Sequence, residues 1–535
     1  ALPTPATATV APPAATTDED AAATPADTAA DEPAGATASP AVAPRESATP
    51  PGTVASATPA APAQAKPAAR VRTAASVAAP PDEVPTLSVE AASFRGVHPG
   101  QTTRDELLAS WGAGEPLARE DGTAGFVWKF EPFDRVEVTL TDDTVTTILV
   151  ALADPVPVAD LAEQLEISDL RTVTILDDQG QPIGEVYPER GVIITLQPGT
   201  QSANAIMIEP LDAESFVLRA ESVIESCSAF AAADLQEAIR LDPGHVRALR
   251  LLLRMAGEQG QWTRAVELAE AAVRLDPADA WIRLKQAAAL LELGRPAEAR
   301  AAVEAVTSRE NPSPLVVAQA ERLLGHAAMA GAEPDHQGAV RHFAEAIRRA
   351  TPLVESPTPA VQAAARELLL DAHLGTALAI ARGTWQQKGR VIPKWIARGE
   401  AIVRDFKGTE AERQALELRL CRGVLAAAAG STEAVEPLPW VKRLLQLRER
   451  VDENVTDPWQ RRQIDWAVGQ GLADGLAAAQ ARADFTDLLD NATLTAAYLD
   501  RGAERRELSD AERKRMGDLA FRIGIMHSLQ RGDHA

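Results

Sequence analysis

The sequence predicts a mainly α-helical protein in three parts: a disordered Ala/Pro/Thr-rich tether, a small α+β domain and a long α-solenoid of paired helices. Three observations support this prediction. Residues 1–85 are poor in bulky apolar side chains, and residues 86–220 alternate apolar and polar residues. From residue 221 onward the apolar positions follow helical spacing, and part of the pattern returns every 34 residues.

The first 85 residues hold 16 of the 38 prolines and no aromatic residue. A segment of this composition buries too little apolar surface to offset the chain entropy that folding removes. We therefore expect residues 1–85 to be a disordered linker. The chain begins with Ala1 rather than Met, so we also expect a processed product. An Ala/Pro/Thr tether is typical of a segment that follows an envelope anchor or signal peptide, which predicts an extracytoplasmic or cell-envelope location, with a cytoplasmic one as the alternative.

Residues 86–220 are predicted to form an acidic α+β domain. Their 23 acidic and 8 basic residues account for most of the net charge of −23. Thr103 and Glu106 form a capping box for a short helix that Gly112 ends. Period-two alternation then predicts antiparallel strands near 126–130, 136–140 and 145–149, with a hairpin turn at Asp142–Asp143. A second copy, with a helix at 158–165 and four short strands up to residue 208, would give two helix-plus-meander halves.

The first half resembles the SmpA/OmlA-type outer-membrane lipoprotein family over about residues 96–150. The residues that match its opening motif are Gly100, Thr103, Asp105, Glu106, Leu107, Leu108, Gly112 and Pro116. Two insertions around this motif depart from the family pattern. Members of that family belong to outer-membrane assembly machinery, so the resemblance implies an envelope adaptor.

The 34-residue period is clearest where Arg240-Leu-Asp-Pro243 returns as Arg274-Leu-Asp-Pro277. The same register aligns small residues that let two antiparallel helices approach closely, namely Ala231, Ala265 and Ala299, and Ala238 and Ala272. It also aligns Gly260 with Gly294, and Gly260 is expected to permit the tight turn between the helices of its repeat. Residues 221–352 resemble the tetratricopeptide repeat family in this period and in these positions. The resemblance implies helical hairpins that stack into a protein-binding solenoid.

Residues 353–535 keep helical spacing while the period fades, so we expect diverged helical repeats. Thr409 with Glu412, and Ser509 with Glu512, are predicted capping boxes. We expect Arg522 to begin the first helix of a further repeat and Gly532–Ala535 to begin its turn, so that the array is truncated at the C-terminus and the native protein continues.

One group of residues in the repeats is a candidate partner-binding site. Arg247, Arg250 and Arg254 are spaced by three and four residues, which places them on one face of a helix. The family resemblance implies that this face lines the concave groove. Guanidinium groups bind carboxylates in pairs of hydrogen bonds, so these arginines and Trp281 from the next repeat predict a protein or peptide ligand that carries an anionic group.

Other function classes find little support in the sequence. The acidic charge disfavours nucleic-acid binding, and the longest apolar runs are too short for direct membrane insertion. No phosphate-binding glycine loop, catalytic triad motif or metal-type histidine or cysteine spacing is present, so we predict no catalytic residues, no cofactor and no metal. The predicted function is a non-catalytic scaffold or adaptor. The alternatives are an enzyme, with its site in the α+β domain or in a missing C-terminal region, and a cytoplasmic assembly scaffold.

Overall fold

The computed structural model describes residues 81–118, 124–452, 455–481 and 488–531. Most of the predicted tether and the predicted turn at Gly532–Ala535 lie outside the described residues. The predicted fold class is confirmed: a small sheet domain precedes a long array of paired helices.

The sheet domain contains two short helices and one antiparallel sheet. Its elements are α1 (Arg104–Trp111), β1 (Glu115–Ala118), β2 (Ala124–Trp128), β3 (Phe133–Thr141), β4 (Thr144–Pro157), α2 (Val158–Gln164), β5 (Val173–Leu176), β6 (Pro182–Tyr187), β7 (Val192–Leu196) and β8 (Ser202–Ile208). Within the described residues the strand order is β1-β2-β3-β4-β8-β7-β6-β5. Each half thus contributes a helix and four strands, and the halves join where Leu149 of β4 pairs with Met207 of β8.

Local sequence signals explain the boundaries of these elements. The Thr103 hydroxyl accepts a hydrogen bond from the Glu106 N–H, and the Glu106 carboxylate accepts one from the Thr103 N–H, so the predicted capping box is confirmed. Asp142 and Asp143 both have positive φ, at 50° and 59°, as the two-residue turn between β3 and β4 requires. The sequence prediction missed β1, because Glu115–Ala118 contains a proline and lacks a period-two pattern.

The helical array begins earlier than the predicted boundary at residue 221. Asp212 caps α3 by accepting a hydrogen bond from the Ser215 N–H, so the helix begins at Ala213 and the predicted end of the α+β domain at 220 was too late. The helices of the array are α3 (Ala213–Val223), α4 (Ser228–Leu241), α5 (Val246–Glu258), α6 (Trp262–Leu275), α7 (Ala280–Glu292), α8 (Pro296–Thr307), α9 (Pro314–Met329), α10 (His336–Ala350), α11 (Pro359–Arg382), α12 (Lys388–Arg404), α13 (Glu410–Gly430), α14 (Pro437–Asp452), α15 (Pro458–Ala481), α16 (Leu488–Ala503) and α17 (Asp510–Arg531), with a 3-10 turn at Thr351–Glu355.

The hairpins α3/α4, α5/α6, α7/α8 and α9/α10 follow the predicted repeat. α4 ends at Leu241 and α6 ends at Leu275, which is the 34-residue spacing seen in the sequence. Ala265, Ala269 and Ala272 are fully buried between helices, as small residues at a close helix contact must be. At the other end, α17 is continuous from Asp510, so Arg522 lies inside this helix and the prediction that it begins one was wrong.

Candidate functional site

The three candidate arginines lie on one face of α5, as their spacing predicts. Their side chains are 46%, 45% and 35% exposed for Arg247, Arg250 and Arg254, so water reaches all three. The apolar residues of the same helix, Leu249, Leu252 and Leu253, face the core. Amphipathic spacing therefore places these arginines where a ligand could reach them.

Each candidate arginine is paired with acidic groups of the chain itself. Arg247 donates from Nε to Glu221 Oε1 at 2.8 Å and from Nη1 to Glu214 Oε1 at 2.7 Å. Arg254 lies 3.6 Å from a Glu225 carboxylate oxygen. Glu214 and Glu221 lie on α3 and Glu225 lies just after it, so these pairs tie successive hairpins together. Arg254 also lies 3.9 Å from Glu258 on its own helix. An incoming carboxylate would compete with these internal pairs.

Arg250 and Trp281 are brought together by the structure. The Arg250 guanidinium carbon lies 5.0 Å from the centroid of the Trp281 ring, and the Lys285 ammonium lies 5.4 Å from it. Asp279 holds this arrangement, because its carboxylate lies 3.3 Å from Arg250 Nη1 and also accepts a hydrogen bond from the Trp281 N–H at 2.8 Å. The result is a partly buried indole with two cations close to its ring, which suits an apolar or aromatic side chain beside an anionic group.

A row of charged side chains continues from Lys285 along the first helices of the following hairpins. We call it the inner charged row: Glu258 on α5, Lys285 on α7, Arg322 on α9, Asp371 on α11 and Arg419 on α13. The pKa of Lys285 is lowered, first by burial and then by Arg322 and Arg419, against the opposite effect of Glu258. Neighbouring members of the inner charged row therefore lie close enough to interact electrostatically.

The row contains both signs of charge, in the order acidic, basic, basic, acidic and basic from Glu258 to Arg419. Asp371 lies 3.7 Å from Arg322 and 3.4 Å from Arg419, and Arg419 also lies 3.3 Å from Glu367 on α11. A surface of mixed charges favours a ligand that presents both acidic and basic groups over one with a single sign of charge. Sequence reasoning missed this row because its contacts join side chains of different hairpins, which short-range patterns do not record.

The two ends of the helical array are in contact. Thr263 at the start of α6 donates two hydrogen bonds to the Glu507 carboxylate, at 2.8 Å from its N–H and 2.6 Å from its hydroxyl. The guanidinium carbon of the neighbouring Arg506 lies 5.3 Å from the ring centroid of Trp262 and 4.9 Å from that of Trp466. We call this the closure contact.

The sheet domain joins the array through a buried ionic network. Arg219 on α3 is 0% exposed and donates two hydrogen bonds to Glu189, at 2.7 Å and 2.6 Å. It also donates to Asp234 on α4, which accepts a further bond from Arg171 at 2.6 Å. Because all the carboxylates are paired, the network holds the strand connection that contains Glu189 in a fixed position against α3 and α4.

The described residues contain no group of three or more side chains that could hold a metal ion. None of the helices in the described part of the chain combines the length and apolar character that a membrane span requires.

Comparison with known proteins identifies part of the array. The family model described as "Tetratricopeptide repeat" matches residues 258–319, from the end of α5 into α9. A solved structure titled as the P58(IPK) TPR domain matches over 60% of this chain and 99% of its own, at 12% sequence identity and a TM-score of 0.20. Among curated proteins, none matches the chain.

Proposed function

Because residues 258–319 are tetratricopeptide repeats, we propose that this protein is a non-catalytic scaffold that binds a protein or peptide on the concave face of its helical array. The observation that carries the proposal is the partly buried Trp281 with Arg250 and Lys285 close to its ring. An indole beside two cations offers contact area for an apolar side chain and two positive charges for an acidic one.

The expected ligand is an extended segment with mixed charge. Arg250 and Lys285 favour an acidic group near Trp281, and Glu258 and Asp371 favour basic groups on either side. The spacing of the arginines predicts a basic site for an anionic group. The mixed charge pattern refines that prediction, because Arg247 and Arg254 already form ion pairs with glutamates of the chain. Specificity would come from the order of charges rather than from total charge.

The test is affinity capture with the full chain as bait, read by mass spectrometry. Arg250→Glu is a poor variant because it would place a carboxylate beside Asp279 at the start of α7. Arg250→Gln and Trp281→Ala avoid that repulsion, and each should reduce enrichment of the partner at least ten-fold. Arg264→Gln on α6, whose side chain is 55% exposed, is the matched control. Equal enrichment by all variants would rule out this surface.

We also propose that the scaffold works in the cell envelope, on the basis of the resemblance of residues 96–150 to the SmpA/OmlA-type family. The helix that carries the resemblance is capped by Thr103 and Glu106 and ends at Gly112, as the family motif implies. Fractionation of cells that make the native protein tests this location. Recovery in the cytoplasmic fraction would favour the cytoplasmic assembly scaffold instead.

A further inference from the structure

An extended segment of the chain, residues 82–89, lies on the helical array in the manner of a bound peptide. Val84, Leu87 and Val89 pack against the largest apolar cluster of the array, which runs from α3 to α9 and includes Trp459 of α15. Thr86 and Ser88 between them are exposed. The tether predicted for residues 1–85 therefore ends too late, because Asp82 and Val84 already contact the array.

The start of this segment is held by side chains of α15 and of the α16–α17 connection. Trp459 Nε1 and Arg505 Nη1 each donate a hydrogen bond to the Asp82 carbonyl oxygen at 2.8 Å. Arg462, which is 14% exposed, forms an ion pair with the Asp82 carboxylate. Arg505 also lies 3.5 Å from the Glu83 carboxylate. We call Trp459, Arg462 and Arg505 the anchor site.

The end of the segment is held by main-chain hydrogen bonds to the sheet domain. Arg190 Nη1 donates to the Ser88 carbonyl at 2.8 Å, and the Glu90 N–H donates to the Glu189 carbonyl at 2.9 Å. Main-chain bonds give affinity and inward side chains give specificity, which is how extended peptides bind to protein surfaces. All the groups that bind the segment in these contacts belong to the array or the sheet domain.

We propose that the anchor site and the adjoining apolar surface form a peptide-binding site that residues 82–89 occupy in cis. The partner that fits it is an extended segment of another protein, with an aspartate followed by apolar side chains at the second, fifth and seventh positions after it. The residues of the anchor site are different from those that surround Trp281. Binding in trans displaces the chain's own segment and releases its link between α15 and the sheet domain.

Competition between a free peptide and the chain's own residues 82–89 tests whether both occupy the same site. A fluorescent peptide of residues 81–92 is titrated with the full chain, and binding is followed by fluorescence anisotropy. The cis segment should make binding to the unaltered chain weak. Asp82→Ala in the full chain weakens the cis competitor, so peptide affinity should rise at least ten-fold. Adding Arg462→Glu or Arg505→Glu to that variant should lower affinity at least ten-fold.

Two controls separate binding from folding. Arg404→Glu, whose side chain is 71% exposed on α12, should leave peptide affinity in the Asp82→Ala chain unchanged. Circular dichroism must show native helix content for Arg462→Glu or Arg505→Glu, and retention of binding by either folded variant overturns the proposal. Equal peptide affinity of the unaltered and Asp82→Ala chains also overturns it. If the chain forms concentration-dependent dimers that the peptide cannot dissociate, the site binds a second copy of the chain. That result would overturn the proposal that the partner is another protein.

Discussion

Thr263 and Glu507 lie 244 residues apart in the chain, and the Glu507 carboxylate accepts two hydrogen bonds from Thr263. Gln261 is the N-cap residue of α6, and Thr263 occupies the second helical position, whose N–H needs an acceptor from outside the helix. The last hairpins of the array thus cap a helix near its beginning. Stacked repeats usually contact only their neighbours, so this contact directly couples hairpins that are otherwise linked only through the hairpins between them.

Loss of the Glu507 carboxylate should loosen both ends of the array. We expect Glu507→Ala to lower the free energy of unfolding by about 1 kcal/mol, the usual cost of losing a helix cap. Amide hydrogen exchange should accelerate in the first turn of α6. Glu504→Ala, at an exposed glutamate three residues earlier, is the control. Unchanged exchange at Thr263 would show that the contact contributes nothing in solution.

Gly260 and Gly294 occupy equivalent turns and give a matched pair for testing the closure contact. Both have φ of +70°, so alanine at either position costs about 1–2 kcal/mol of backbone strain. A Cβ at Gly260 would lie 2.6 Å from the Arg506 guanidinium carbon, whereas no described atom lies within 4 Å of one at Gly294. We expect Gly260→Ala to be the more destabilising in denaturant unfolding. In an Arg506→Ala background the two substitutions should cost the same.

Sequence reasoning predicted the features whose causes are local. The capping boxes at Thr103, Thr409 and Ser509 form as predicted, because each depends on residues three positions apart. The hairpins up to α10 follow from a period that the chain repeats. Local signals of this kind survive folding because tertiary packing agrees with them.

The contacts that define the candidate sites are not local. The ion pair of Asp82 with Arg462 joins residues 380 positions apart, and nothing in the sequence marks either as a partner of the other. Arg247 and Arg254 show the converse: their spacing predicts a free basic face, while the fold places Glu214, Glu221 and Glu225 beside it. Such pairings depend on how successive hairpins rotate, which short-range patterns do not record.

The buried network at the domain junction should respond differently to single and combined substitutions. Arg219→Leu leaves the carboxylates of Glu189 and Asp234 buried without their main partner, so we expect a loss of about 3–5 kcal/mol. Adding Glu189→Gln and Asp234→Asn removes the unpaired charges and should recover more than half of that loss. Thermal and denaturant unfolding measure both effects. Failure of the combined variant to recover would mean that the shape of Arg219, not its charge, matters at this junction.

His373 on α11 should make the stability of the array depend on pH. Burial, with a smaller effect from Arg398, lowers the pKa of its imidazole from 6.5 to about 4. Below pH 6.5 the unfolded chain binds a proton that the folded chain refuses until about pH 4, so stability falls as the pH falls through this window. In this window one such group lowers the free energy of unfolding by about 1.4 kcal/mol for each pH unit.

The difference in unfolding free energy between pH 7 and pH 5 should therefore be about 2 kcal/mol smaller in His373→Gln than in the unaltered chain. Both proteins should show the same small change between pH 7 and pH 8, where neither state of His373 titrates. An equal loss between pH 7 and pH 5 in both proteins would mean that His373 is hydrated and protonated in the folded array.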